Sequence, residues 1–228
     1  MSRTSGEGPG SPQAGLTRKA RILELDTRHG VARVHLHPVT SPEAALVLGH
    51  GAGGGIESPD LVGATEAARS AGLTVALMEQ PYRVAGRRSP SPAAHLDTAW
   101  TAVVSQLRDG PLGNLAIMSG GRSLGARVAC RTAAETDSLA VLCLAFPLHP
   151  PGRPDKSRLD ELDAVRVPAL VVQGESDPFC TPPDGPNRTV ARIPGTHSLR
   201  SSSTVEAVVS DWLATLLPIF TEASRRRG

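Results

Sequence analysis

The pattern of apolar and polar residues changes at about residue 45. Before that point, residues 20–26 and 31–37 predict two strands joined by a turn at 28–30, and apolar and polar residues alternate along the second strand. After it, short apolar runs alternate with segments of helical periodicity. The runs predicted as strands are 45–48, 74–78, 115–118, 139–146, 169–173 and 189–193. This alternation predicts an α/β fold with a mainly parallel sheet of about seven to eight strands, antiparallel at its N-terminal edge, and helices on both faces.

Serine and proline mark the predicted helix starts. Ser58–Pro59 and Ser91–Pro92 each place serine at the cap and proline at the first helical position. The first of these helices is expected to end near Gly72. The last helix is predicted to begin with a capping box formed by Ser203 and Glu206. Further helices are predicted at 123–135 and around 159–165.

Length and composition favour one domain at 19–221. Residues 1–18 are rich in Ser, Gly and Pro and predict a disordered tail, whereas 222–228 form a basic tail. A net charge of +2 gives no electrostatic reason to expect a nucleic-acid partner. No apolar run reaches the ~18 residues of a membrane span, so we expect no membrane partner.

Cysteine usage suggests a reducing compartment. The three cysteines lack C-x-x-C spacing and cannot all pair, so a cytoplasmic protein is the simplest expectation. We expect a monomer or a homodimer. No cofactor is expected. No metal is expected, because His35 and His37 lie on one predicted strand face but no further cluster of candidate ligands accompanies them.

The pentapeptide Gly121-Arg122-Ser123-Leu124-Gly125 carries the clearest chemical signal. It joins a predicted buried strand to a predicted helix, which is the context of a nucleophile elbow, a sharp turn that exposes a serine hydroxyl. Glycine is common in this chain, so the pentapeptide is weak evidence without that context. Ser123 is therefore the candidate nucleophile.

A serine nucleophile needs a base, and the base needs an acid that orients it. His197 lies in a predicted turn between the last strand and the last helix, and Asp177 follows the strand at 169–173. Glu175 is the alternative acid. Each residue alone has an ordinary interpretation as a polar loop residue, but the order Ser, Asp, His is that of α/β-hydrolases.

Acyl transfer also requires donors for an oxyanion. The residue after the nucleophile, Leu124, supplies one backbone N–H. The second is expected from the glycine-rich loop 50–55, with Ala52 as first choice and Gly53 as second. His50 is expected to brace this loop. Arg122, next to the candidate nucleophile, is a candidate for lining a pocket for an anionic substrate.

The same glycine-rich segment has a rival interpretation. Gly49–Gly54 matches G-x-G-x-x-G, follows a strand and precedes a helix, and Glu79 ends the next predicted strand. These are the ingredients of a dinucleotide site. That hypothesis leaves the serine, aspartate and histidine motifs unexplained.

Several segments together resemble one small α/β-hydrolase group. The group includes uncharacterised bacterial hydrolases and dienelactone-hydrolase-like proteins, as well as a eukaryotic testis-expressed protein and a scaffold subunit of a histone acetyltransferase complex. The resemblance implies an α/β-hydrolase fold with Ser123, Asp177 and His197 as its triad. His149, in the loop after the strand at 139–146, is a candidate for the edge of the pocket, and the alternative is a structural role. Ala126 departs from the group, where many members have a second glycine. The segments are 46–55, 120–129, 146–152, 172–179 and 197–199.

The favoured hypothesis is a serine hydrolase that cleaves an ester or thioester of a small-molecule acyl substrate through an acyl-enzyme. Some 22 residues separate Phe146 from Ala169, too few for a lid domain, and only 3% of residues are aromatic. An open, shallow site for small or extended acyl groups is therefore expected. The alternative is a non-catalytic binding or scaffold module on the same fold.

Overall fold

A computed structural model of the protein describes residues 20–225, with side chains described as far as 218. The predicted tail at 1–18 lies outside these residues. The strands are β1 (Arg21–Thr27), β2 (Gly30–His37), β3 (Ala44–Gly49), β4 (Leu73–Glu79), β5 (Ala116–Arg122), β6 (Val141–Leu144), β7 (Ala169–Gly174) and β8 (Arg188–Ile193). The helices are α1 (Pro59–Ser70), α2 (Pro81–Val84), α3 (Ala93–Asp109), α4 (Leu124–Thr132), α5 (Leu159–Asp163) and α6 (Ser202–Arg225), with a short 3-10 helix at Pro154–Lys156.

The strands form one sheet in the order β1-β2-β4-β3-β5-β6-β7-β8. The β1–β2 and β2–β4 pairs are antiparallel, and the remaining neighbours are parallel. This confirms the predicted mainly parallel sheet with an antiparallel N-terminal edge. Because β3, β5, β7 and β8 run in the same direction, the loops after them meet at one edge of the sheet.

Both faces of the central strands are buried, as their continuous apolar runs predict. Along β3, Leu46 and Leu48 pack in the cluster that contains α1 and α6 residues. Val47, which points the opposite way, packs in the cluster that contains Trp100 of α3. Helices therefore cover the sheet on both faces, which holds the strand ends in fixed relative positions.

Several element ends differ from the sequence prediction. The strand predicted at 139–146 is only Val141–Leu144, because Ala145 has a φ of 50° that breaks the extended backbone. Ser201, not Ser203, caps α6: its hydroxyl accepts a bond from the Thr204 N–H at 3.3 Å. The capping box was therefore predicted two residues too late.

Two further boundaries differ. The N-cap of α3 is Pro92 rather than Ser91, so this helix begins one residue later than predicted. At the C-terminus, α6 continues to Arg225, so the predicted basic tail at 222–228 begins inside the helix. Residues 226–228 lie outside the described part of the chain.

The connection between β6 and β7 contains no lid domain. Residues 145–168 hold only the short 3-10 helix and α5. Among the helices of residues 20–225, none has both the length and the apolar composition that a membrane crossing requires. All three cysteines are free thiols, and the buried Sγ atoms of Cys130 and Cys143 lie 3.5 Å apart.

Candidate active site

Ser123 stands at the turn between β5 and α4 in a strained backbone conformation. Its φ of 51° and ψ of −102° lie outside the regions that L-residues ordinarily occupy. The turn is held because the Ser123 N–H donates to the carbonyl of Leu144, the last residue of β6, at 2.8 Å. Such strain persists only where the surrounding structure enforces it, and it is concentrated at functional sites.

Two glycines allow this sharp turn to pack. A Cβ on Gly121 would lie 2.5 Å from the carbonyl oxygen of Gly49, and a Cβ on Gly125 would lie 2.5 Å from the Gly49 carbonyl carbon. Both distances are far below ordinary contact. The start of α4 therefore lies directly against the end of β3, and this brings Ser123 close to the loop that follows β3.

His197 lies within hydrogen-bond distance of Ser123. The loop between β8 and α6 places its Nε2 2.9 Å from the Ser123 Oγ, and its Nδ1 lies 2.8 Å from Oδ2 of Asp177. An ionised carboxylate can only accept, so Nδ1 carries the proton in the neutral imidazole and Nε2 is left to accept from the serine hydroxyl. The structure thus brings three distant residues together. In the sequence, Ser123 is 54 positions from Asp177 and 74 positions from His197.

The Asp177 carboxylate is buried and fully engaged. Its Oδ1 accepts the Phe179 N–H at 2.8 Å, and its Oδ2 accepts from Nε2 of Gln173 at 2.7 Å. The Phe179 ring packs against the imidazole of His197 with 4.4 Å between centroids. The alternative acid, Glu175, is exposed and shows no bond to His197.

Sequence reasoning missed Gln173. This buried residue on β7 directs its amide nitrogen to Asp177 and also to the carbonyls of Phe146 and Cys180, at 3.2 and 3.1 Å. A glutamine at the last but one position of an otherwise apolar strand was the available signal, because a buried amide requires partners.

The predicted oxyanion donors lie at the same edge of the sheet. Leu124 is the first residue of α4, so its N–H has no acceptor within the helix. Ala52 and Gly53 lie in the loop after β3. The Ala52 carbonyl accepts from the hydroxyl of Tyr82 at 3.0 Å, a contact that sequence reasoning did not anticipate.

His50 braces this loop, as predicted. Its Nδ1 donates to the Gly51 carbonyl at 2.7 Å, and its Nε2 accepts the Gln80 N–H at 3.1 Å. Burial lowers the pKa of His50, with a smaller contribution of the same sign from Arg83. The neutral form, in which Nε2 can accept the Gln80 N–H, is therefore favoured.

Arg122 and His149 have backbone or carboxylate partners. The guanidinium of Arg122 forms an ion pair with buried Asp60, Nε to Oδ2 at 2.9 Å, so its charge is largely compensated rather than offered to an anionic substrate. His149 directs Nδ1 to the Pro150 carbonyl at 2.9 Å. Its backbone N–H donates to the carbonyl of Phe179, beside His197.

Two residues that suggested a metal or a dinucleotide site, His35 and Glu79, contact each other in the structure. Glu79, the acidic residue on which the dinucleotide hypothesis relied, lies 2.9 Å from Nε2 of His35 and 3.7 Å from Arg33. Within residues 20–225, no group of three or more His, Cys, Asp or Glu side chains is arranged to hold a metal ion.

Three solved structures illustrate the similarity of this architecture to known proteins. XC6422 from Xanthomonas campestris, described as an α/β serine hydrolase without lid, is 21% identical, over 92% of this chain and 99% of that one, with a TM-score of 0.71. Dienelactone hydrolase from Anabaena variabilis is 19% identical, over 86% and 97%, with a TM-score of 0.68. Est1E from Butyrivibrio proteoclasticus is 18% identical, over 85% and 98%, with a TM-score of 0.66. At these identities the likeness shows a shared fold.

The family follows from the sequence itself. The profile of the family described as alpha/beta hydrolase domain matches residues 42–199, more than half of the chain. The matched range includes the elbow, the glycine-rich loop, Asp177 and His197. It agrees with the lidless α/β-hydrolase architecture of the structure and with the resemblance seen in the sequence. This chain belongs to the alpha/beta hydrolase domain family.

Proposed function

We propose that the protein is a serine hydrolase that cleaves an ester or thioester through an acyl-enzyme. The observation that carries this proposal is the continuous chain of hydrogen bonds from Ser123 through His197 to Asp177, at 2.9 and 2.8 Å. A serine hydroxyl is a weak nucleophile, and a base in this position is what activates it. The positive φ of Ser123 supports the same assignment.

Acylation begins when the Ser123 Oγ attacks the acyl carbonyl carbon and its proton passes to Nε2 of His197. The bond from carbon to the leaving oxygen or sulfur then breaks, and the imidazolium returns the proton to that leaving group. Asp177 stabilises the imidazolium and keeps the ring in the correct tautomer. Because the Asp177 carboxylate is itself held by Gln173, it needs little reorganisation during this step.

Deacylation uses the same groups in reverse. His197 takes a proton from water, the hydroxide oxygen attacks the acyl carbon, and the carboxylic acid leaves as Ser123 regains its proton. During both steps the carbonyl oxygen carries negative charge. We assign its stabilisation to the N–H groups of Leu124 and Ala52, with Gly53 as the second choice for the latter. A donor of this kind typically contributes about 3 kcal/mol.

We infer a small or extended acyl group as the substrate class. The short connection between β6 and β7 leaves the site without a lid that could enclose a long chain. Among similar structures, one is a dienelactone hydrolase, and another, Est1E, holds ferulic acid, which is a compact molecule. We place His149 at the edge of the acyl pocket, because its backbone is bonded to the residue that packs on His197.

A fluorophosphonate probe tests the proposal directly. It should label the wild-type protein at one residue, and Ser123→Ala should abolish both labelling and hydrolysis of short p-nitrophenyl esters. Ser105→Ala, at an exposed serine of α3, is the matched control and should behave as wild type. Full activity in Ser123→Ala would refute the proposal. Folded wild-type protein that resists the probe and co-purifies with a stable partner would favour a scaffold role.

A further inference from the structure

The side chain of Arg122 connects three segments around the candidate site. Its Nε lies 2.9 Å from Oδ2 of Asp60 in α1. Its Nη2 donates to the backbone carbonyl of His197 at 3.1 Å. Its Nη1 occupies the space beside Gly51, where a Cβ would lie 2.6 Å away. One guanidinium therefore contacts the first turn of α1, the glycine-rich loop and the loop that carries the candidate base.

The anchor of this arrangement is Asp60. The residue is completely buried, and its Oδ1 accepts the Leu61 N–H at 2.9 Å, which fixes the carboxylate at the start of α1. Burial raises the pKa of Asp60, and the nearby charge of Arg122 opposes that rise. A buried carboxylate requires a compensating cation. The ion pair therefore holds the guanidinium in place while its other nitrogen reaches His197.

The bond to the His197 carbonyl matters because backbone and imidazole belong to the same residue. A shift of that carbonyl moves the ring, and the ring must keep Nε2 2.9 Å from the Ser123 Oγ. Displacements of about 1 Å at a reacting group cost on the order of 100-fold in rate. Arg122 precedes the nucleophile in the chain, so it ties the base to the turn that carries the nucleophile.

We propose that Arg122 is a positioning residue that keeps the His197 imidazole within hydrogen-bond distance of the Ser123 hydroxyl, with Asp60 as its anchor. This inference rests on the proposed function. Arginine suits the task because its planar fork donates in two directions at once. Lysine, with one compact ammonium, cannot reproduce both contacts.

A double variant separates positioning from simple structural support. Arg122→Met alone leaves the Asp60 carboxylate buried without a cation, so it is expected to be both unstable and slow. Arg122→Met combined with Asp60→Asn removes both charges and should recover most of the lost melting temperature. If Arg122 positions His197, this double variant is labelled by fluorophosphonate at least about tenfold more slowly than wild type. In ester hydrolysis its kcat decreases while its KM stays close to that of wild type.

The matched control is a similar ion pair away from the site. Arg131 and Asp97 join α4 to α3 at 2.6 Å; Arg131 is about as exposed as Arg122, and Asp97 is more exposed than Asp60. Arg131→Met combined with Asp97→Asn should label at the wild-type rate. The inference is overturned if the Arg122→Met, Asp60→Asn variant recovers both the wild-type melting temperature and the wild-type labelling rate.

A spectroscopic readout keeps the test independent of turnover. In the wild-type protein, the imidazole proton that His197 shares with Asp177 should give a protected, low-field proton resonance. The Arg122→Met, Asp60→Asn variant should lose or broaden this resonance, whereas Ser123→Ala should keep it. An unchanged resonance in the double variant refutes positioning. If wild type resists labelling, the proposed function fails while this comparison still decides the role of Arg122.

Discussion

The contact between α4 and β3 makes Gly125→Ala a sharp test of how the elbow is built. Gly125 is the second residue of α4, and a Cβ there would lie 2.5 Å from the carbonyl carbon of Gly49 and 3.0 Å from its Cα. Both are backbone atoms, which cannot rotate away as a side chain would. Since favourable carbon contacts lie at about 3.5–4.0 Å, α4 must recede by about 1 Å.

Two effects of opposite sign determine the size of the change. Alanine is favoured over glycine in a helix interior by about 1 kcal/mol. Overpacking a rigid site costs about 1–3 kcal/mol, and a clash with backbone belongs at the upper end of that range. The net loss in the free energy of unfolding is therefore about 2 kcal/mol, which for a chain of this size corresponds to a decrease of about 4–8 °C in Tm. The same displacement should slow labelling of Ser123 by about 10- to 100-fold.

Thermal unfolding and the rate of fluorophosphonate labelling measure the two consequences. Gly55→Ala is the matched control: it makes the same chemical change in the glycine-rich loop, where no heavy atom lies within 4 Å of the new Cβ. Its Tm should stay within about 2 °C of wild type. An equal or higher Tm for Gly125→Ala would show that α4 does not approach β3 as closely as described, and would refute the reasoning.

Three further predictions concern the triad, the loop brace and the rival ligand. Asp177→Asn should reduce the labelling rate by on the order of 10³- to 10⁴-fold, because an amide no longer enforces the Nδ1–H tautomer of His197; near-normal labelling would contradict the triad. Burial lowers the pKa of His50 below its usual 6.5, so the unfolded chain binds this proton first and stability falls as the pH decreases below about 6.5. The urea midpoint of wild type should therefore fall more between pH 7 and pH 5 than that of His50→Gln, and parallel curves would exclude His50 as the cause. NAD and NADP at millimolar concentration should leave the Tm unchanged, because Glu79 is bonded to His35; an increase of several degrees would restore the dinucleotide hypothesis.

The sequence by itself determined the fold class, the order of strands and helices along the chain and the mainly parallel character of the sheet. Apolar runs with a period of two, and short unbroken apolar runs bounded by turn residues, predict strands, and segments of helical periodicity between them indicate parallel crossovers. The elbow was readable for the same reason, since a strand, a glycine-flanked serine and a helix are all local features. The exact ends of elements were less readable. The cap of α6 lies at Ser201 because its hydroxyl reaches the Thr204 N–H, and nearby Ser203 offered an equally good local pattern.

Only the tertiary structure decided the partners of the polar side chains. In the sequence, Arg122 next to the candidate nucleophile suggested a pocket for an anion, but α1 brings Asp60 to it. Gln173 looked like an ordinary strand residue until folding placed the Asp177 carboxylate within 2.7 Å of its amide. The physical reason is that a hydrogen bond or an ion pair depends on distances between segments far apart in the chain. Those distances are set by how the helices pack on the sheet, which no local pattern of residues encodes.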